Sequence, residues 1–162
     1  MSRFRVRPCG ASDASALEET FAGLSPRSRY LRYHSGTPRL TGQMRRALLD
    51  IDGDRHVALV AEVPGPRGPR AIGIARLVSL GAGRAEVAVE VVDAWHRQGV
   101  GTSLLRGLAD EAARLGYTAI HADVLPENLA MRRLLAQVFP EAVVDLGDVS
   151  VGVPTDVGLT PH

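Results

Sequence analysis

The sequence predicts a mixed α/β domain in which an antiparallel meander leads into a strand–helix–strand–helix half. Two observations carry this. The middle of the chain holds β-branched, strand-like runs joined by connections too short for helical crossovers. The later part interleaves such runs with segments whose apolar residues recur at helical spacing. A chain of 162 residues suits one domain, and that length buries a sizeable core without disulfide or metal staples. We expect a single domain over 1–154 and a tail over 155–162.

Taken in order, Phe4, Val6 and Pro8 alternate with Arg3, Arg5 and Arg7 as a short strand. Ser12 and Asp13 are placed to cap a helix with the stripe Ala14, Leu17, Phe21 and Leu24. Ser25-Pro26 restarts the chain into a segment carrying Tyr30, Leu31 and Tyr33, to which no element is assigned. Thr41 then caps a second helix with Met44, Ala47 and Leu48 inward. Residues 56–63, 71–78 and 85–92 read as three antiparallel strands, separated by the turn-rich Pro64 to Arg70 and by Gly81 to Gly83. Val100, Leu104, Leu105, Leu108, Ala112 and Leu115 share one helical face that ends at Gly116. Residues 117–124 form a strand parallel to 85–92 if that helix is a crossover. Asn128 opens a last helix with Met131, Leu134, Leu135 and Val138 inward, before short strands near 142–146 and 149–153.

Nineteen basic residues against eighteen acidic leave a net charge of +1, which argues against a nucleic-acid binder driven by bulk charge. All nineteen are arginine. Without lysine there is no Walker A phosphate loop and no Schiff-base chemistry. Cys9 is the only cysteine, so no intrachain disulfide forms, and its place after the first strand suits a buried thiol better than a nucleophile. No His, Asp or Glu set has metal-ligand spacing. No stretch approaches the roughly 18 apolar residues of a membrane span, and no signal-peptide core follows Met1 to Arg5, so a cytoplasmic location is expected.

The segment Trp95 to Thr102 lies between a strand and a helix start. Glycines at 99 and 101 let backbone approach a ligand, the first-turn N–H groups are free, and Arg97 is placed for a charge-assisted contact with phosphate. A Rossmann dinucleotide site is one reading, with Asp123 as its acidic residue. However, Leu104 stands at the third glycine position, and antiparallel strands precede the turn.

His96-Arg97-Gln98-Gly99-Val100-Gly101 resembles the acetyl-CoA signature of the GNAT superfamily of N-acyltransferases. Glu127 to Leu135 resembles its second CoA segment, with Asn128 at the asparagine position. The element order is similar along nearly the whole chain, and Gly23 to Tyr33 is similar to GNAT domains of bacterial protein-lysine acetyltransferases. This resemblance implies the GNAT fold: a mixed central sheet with helices on both faces, whose parallel fourth and fifth strands splay apart. It implies a pantetheine arm pairing with the backbone of Val91 and Val92, a pyrophosphate held by Arg97, Gln98, Gly99, Val100, Gly101 and Thr102, and an arm contact from Asn128. Acetyl-CoA is then the cosubstrate, an amine on a protein lysine or a small molecule the acceptor, and a homodimer an option. Neither nucleic acid nor membrane is an expected partner.

An alkylammonium of pKa about 10.4 cannot attack a thioester, so a carboxylate base is expected. Glu86, Ala88 and Glu90 share one strand face. Glu86 matches a position where lysine-acetylating relatives carry their base, with Glu90 in reserve. Leu135 stands where many members place the tyrosine that protonates the leaving thiolate. Tyr117, His121 and Asp123 are then candidate proton relays. A sensor or regulatory subunit that binds acetyl-CoA without turnover is the alternative.

Overall fold

The computed structural model describes residues 3–34, 39–140, 143–145 and 148–152. Seven strands form one sheet in the order β1-β2-β3-β4-β5-β7-β6. They are β1 (Arg5–Cys9), β2 (His56–Val63), β3 (Arg70–Gly81), β4 (Arg84–Val91), β5 (Ala119–Asp123), β6 (Val143–Asp145) and β7 (Asp148–Gly152). All neighbours are antiparallel except β4 and β5. The helices are α1 (Ala14–Ala22), α2 (Pro26–Tyr33), α3 (Gly42–Leu48), α4 (Val100–Arg114) and α5 (Leu129–Val138). The expected tail over 155–162 lies outside the described residues.

Alternation along the strands sends successive side chains to opposite faces, and each face has its own core. Leu59, Leu77, Ala85 and Val87 meet Val100, Leu104, Leu105 and Leu108 of α4 and Leu135 of α5. Three of those leucines, at 104, 105 and 108, are fully buried, each contributing about 1.5–3 kcal/mol by leaving water. Ala58, Val60 and Ile74 meet Leu17, Phe21 and Leu24 on the other face.

The sequence reading placed two helices before the meander, whereas the structure has three, because Ser25 to Tyr33 folds as α2. Ser25 caps it, its Oγ accepting from Ser28 N at 3.1 Å, and Pro26 occupies the first turn. Within α1, Ala16 and Thr20 are buried and the expected Ala14 is exposed. Asp13 sits at the N-cap position without capping. Its carboxylate accepts instead from Gly10 N and from the Arg7 guanidinium.

Candidate active site

The parallel β4–β5 ladder has three residue pairs, Arg84 with Ala119, Ala85 with Ile120 and Glu86 with His121. Both strands run on past the last pair, β4 to Val91 and β5 to Asp123. A gap therefore opens at Glu86. It leads into a cleft of about 690 Å³ whose walls include β4, the C-terminal half of α2, the turn before α4 and one side of α5.

The antiparallel partner of β4 decides which backbone groups face the gap. Val92 N donates to Ile72 O at 2.8 Å. Alternation then turns Glu90 and Ala88 toward β3, and Val91 and Val89 toward the gap. Of the two positions expected to pair with a ligand, Val91 faces the gap and Val92 spends its N–H on β3. The Val91 carbonyl already has a side-chain neighbour, His96 Nε2 at 2.8 Å. The His96 imidazole thus turns back onto the strand end.

The turn carries the backbone of an anion site. Gly99 is the N-cap of α4 with φ +84°, a left-handed conformation that costs glycine nothing, and no side chain caps the first-turn N–H groups. Gly101 has a second reason to be glycine, since a Cβ there would lie 3.0 Å from Leu134 of α5. Arg97 adopts φ +61°, uncommon for a side-chain-bearing residue. Arg97, Gly99, Val100, Gly101 and Thr102 border the cleft. Gln98 does not; its amide donates to Ala94 O and accepts from Arg3. Asn128 borders the cleft, but its Oδ1 is engaged in capping α5 through Met131 N at 3.2 Å.

Glu86 is exposed at the mouth of the gap. Glu90, on the same strand face, is 4% exposed and lies in a buried polar cluster the sequence reading missed. Its Oε2 accepts from Tyr33 Oη at 2.9 Å and sits 4.0 Å from Arg32 Nε. Arg76 on β3 is buried alongside, donating to Leu48 O at 2.8 Å. Burial, then the negative charge of Glu90, pushes the Tyr33 phenol up, while burial pulls the Arg76 guanidinium down. The signal for this cluster was a buried-strand pattern interrupted by Arg76 and Glu90.

The three relay candidates separate. Tyr117 donates to Asp54 O at 2.8 Å and points elsewhere. His121 pairs with Glu86 in the ladder but does not border the cleft. Asp123 does border it, 3.6 Å from His34 Nδ1 at the end of α2. Leu135 is 1% exposed in the core and offers no proton. Cys9 is buried, and that burial pushes its thiol up to about 11. Among the described residues no group of His, Cys, Asp or Glu is arranged to hold a metal ion, and no helix is long and apolar enough to cross a membrane.

Comparison with known proteins bears on the family of the chain. The model of the acetyltransferase (GNAT) family matches residues 25–139. An acetyltransferase of Pseudomonas aeruginosa is 29% identical over 80% of this chain and 70% of its own length. The acetyltransferase Pat of Mycolicibacterium smegmatis is 32% identical over 98% of this chain and 46% of its own, so the chain spans less than half of that relative. The crystal structure of the GNAT domain of S. lividans PAT superposes with a TM-score of 0.81 at 28% identity, covering 92% of this chain and 90% of that domain.

Proposed function

The chain belongs to the acetyltransferase (GNAT) family, and from that premise we propose that it moves the acetyl group of acetyl-CoA to a primary amine, with Glu86 as general base. The observation that carries the reading is the ladder ending at Glu86 and His121 while both strands continue. That opening sets a carboxylate beside a gap where the backbones of β4 and β5 no longer pair with each other. The Rossmann reading falls away with the antiparallel meander in front of the turn.

The residues present fit acetyl-CoA. The uncapped first turn of α4, with Arg97 beside it, suits a pyrophosphate. The Val89 and Val91 backbone facing the gap suits an amide-bearing arm, on condition that the His96 imidazole yields the Val91 carbonyl. Acetyl-CoA supplies a thioester, and the chain supplies position and proton handling. Glu86 takes the proton that the acceptor ammonium gives up, directly or through water. The neutral nitrogen then bonds to the acetyl carbon as the carbon–sulfur bond breaks. A thiolate whose thiol has an ordinary pKa of about 8.5 leaves with modest help. Of the three relay candidates, Asp123 is the one at the cleft and is assigned to pass the proton that the nitrogen sheds on forming the amide to the departing thiolate, while the proton taken by Glu86 goes to solvent.

Free-thiol release across a panel of amines and lysine peptides tests the activity. Glu86→Gln is expected to lower turnover at neutral pH by about 10²-fold or more while acetyl-CoA still binds in calorimetric titration. Unchanged turnover would remove Glu86 from its role. The buried Leu135 favours one second reading, an acetyl-CoA-binding sensor; tight binding with no thiol release on any amine would establish it instead.

A further inference from the structure

We infer that Glu90 and Arg32 form a contact point in the cleft wall for a second group on the acceptor, an amide, apart from the amine that reacts. The inference rests on the amine-acetylation reading and assigns the part of the acceptor that this reading leaves open.

Glu90 is not needed as a base, because Glu86 stands exposed at the gap and Glu90 does not. Its side chain is 1% exposed, yet the residue borders the cleft. One oxygen is engaged by Tyr33, while Oε1 is buried and has no hydrogen-bond partner among the described residues. Arg32, packed over the Tyr33 ring at 4.6 Å, presents a buried Nε that lacks a hydrogen-bond partner among the described residues. It too borders the cleft. A buried carboxylate oxygen without a donor is costly, and an apolar residue would serve a purely structural role at lower cost. Two neighbouring residues of the wall therefore carry one buried acceptor and one buried donor without hydrogen-bond partners among the described residues, and each atom must turn toward the cleft to meet a ligand.

Charge selects among the groups that would satisfy both. Arg76 lies on the same face of the sheet as Glu90, diagonally across the β3–β4 pairing of Ile74 with Glu90 and Arg76 with Ala88. Two guanidiniums thus flank one carboxylate. A further cation at Oε1 is disfavoured, and a neutral N–H is the fitting donor, with an adjacent carbonyl oxygen facing Arg32. Those two functions side by side are an amide. Glu86 and Glu90 are about 13 Å apart along the strand, with only the small Ala88 between them on that face. The acceptor this describes is elongated, with its amine on a flexible aliphatic arm that ends in the amide.

The test compares two acceptors, lysine capped as its Nα-acetyl N-methylamide and n-pentylamine, which has the arm without the amides. The wild type is expected to prefer the capped lysine in KM by about tenfold or more. Glu90→Gln, which sets an N–H where the acceptor's own N–H must point, and Arg32→Met, which keeps the aliphatic stem, are each expected to reduce that preference by about tenfold. A structural defect would weaken both amines alike and leave the ratio untouched. An equal ratio in wild type and both variants, or no preference in the wild type, overturns the inference. If neither amine releases thiol, the transfer reading fails by itself. The ratio of Kd values for the two amines titrated into CoA-saturated protein then decides the Glu90–Arg32 contact.

Discussion

Glu62 shows how single residues on this chain trade charge for burial. It lies on β2 with 7% of its side chain exposed and faces two arginines of β1, Arg5 and Arg7, the latter with Nε at 3.1 Å. The Arg5 guanidinium first, and Arg7 after it, hold its carboxyl below the ordinary range despite burial. A carboxyl whose folded pKa is depressed contributes stability that is fully present above its unfolded pKa, about 4.3, and is lost as pH falls through the folded value. Tm measured from pH 6 downward is therefore expected to fall more steeply in the wild type than in Glu62→Gln once pH drops below about 5. Parallel curves would show that the pairing carries no linkage. Such partners were not legible in Arg3 to Pro8, which announced a strand with one wet face and nothing about what the arginines meet. Asn128 has a partner equally invisible in the motif: its side-chain oxygen accepts from Met131 N and caps α5.

At the scale of elements, legibility followed the apolar stripe. Five of the six stripe residues read for α4, from Val100 to Ala112, are buried and Leu115 is half-buried, because five apolar residues on one face leave a helix a single way to pack. In α2 no residue is fully buried and three of eight are arginine, so no stripe announces it. Its signal was local, a serine cap followed by proline, and tertiary contacts through Tyr33 and Arg29 hold it down. The turn before α4 allows a paired experiment. Gly99 and Gly116 flank the two ends of α4, both with φ +84° and with open space where a Cβ would go. Replacing either by alanine costs about 1–2 kcal/mol in the left-handed region, a fall in Tm of a few degrees. Gly99→Ala is expected also to weaken acetyl-CoA binding in calorimetric titration, and Gly116→Ala, remote from the cleft, is not. Equal affinities in the two variants would mean that the turn does not hold the ligand.

For the whole molecule, the directions of the central strands followed from connection lengths: short links gave the antiparallel meander and the helical crossover gave the parallel pair, while the outer order β5-β7-β6 had no such signal. What no spacing revealed is where that pair stops. Residues 85–92 and 117–124 looked continuous as strands, and nothing in their side chains records that backbone pairing ends at Glu86 and His121. The polar cluster of Tyr33, Arg76 and Glu90 was equally hidden, since Tyr33 stands 57 residues before Glu90 and only folding brings α2 onto the β3–β4 pair. The short ladder also has a mechanical meaning. Strands β1 to β4 and strands β5 to β7 are two rafts sutured by three residue pairs, with α4 packed on the first of them, over β2, β3 and β4. A ligand arm that hydrogen-bonds the facing backbone of Val89 and Val91 lengthens the suture, so acetyl-CoA is expected to act as a missing strand. Amide hydrogen exchange at Val89 and Val91 should then slow on adding CoA, with little change at Val87. Uniform slowing across β4 would mean the rafts are held elsewhere.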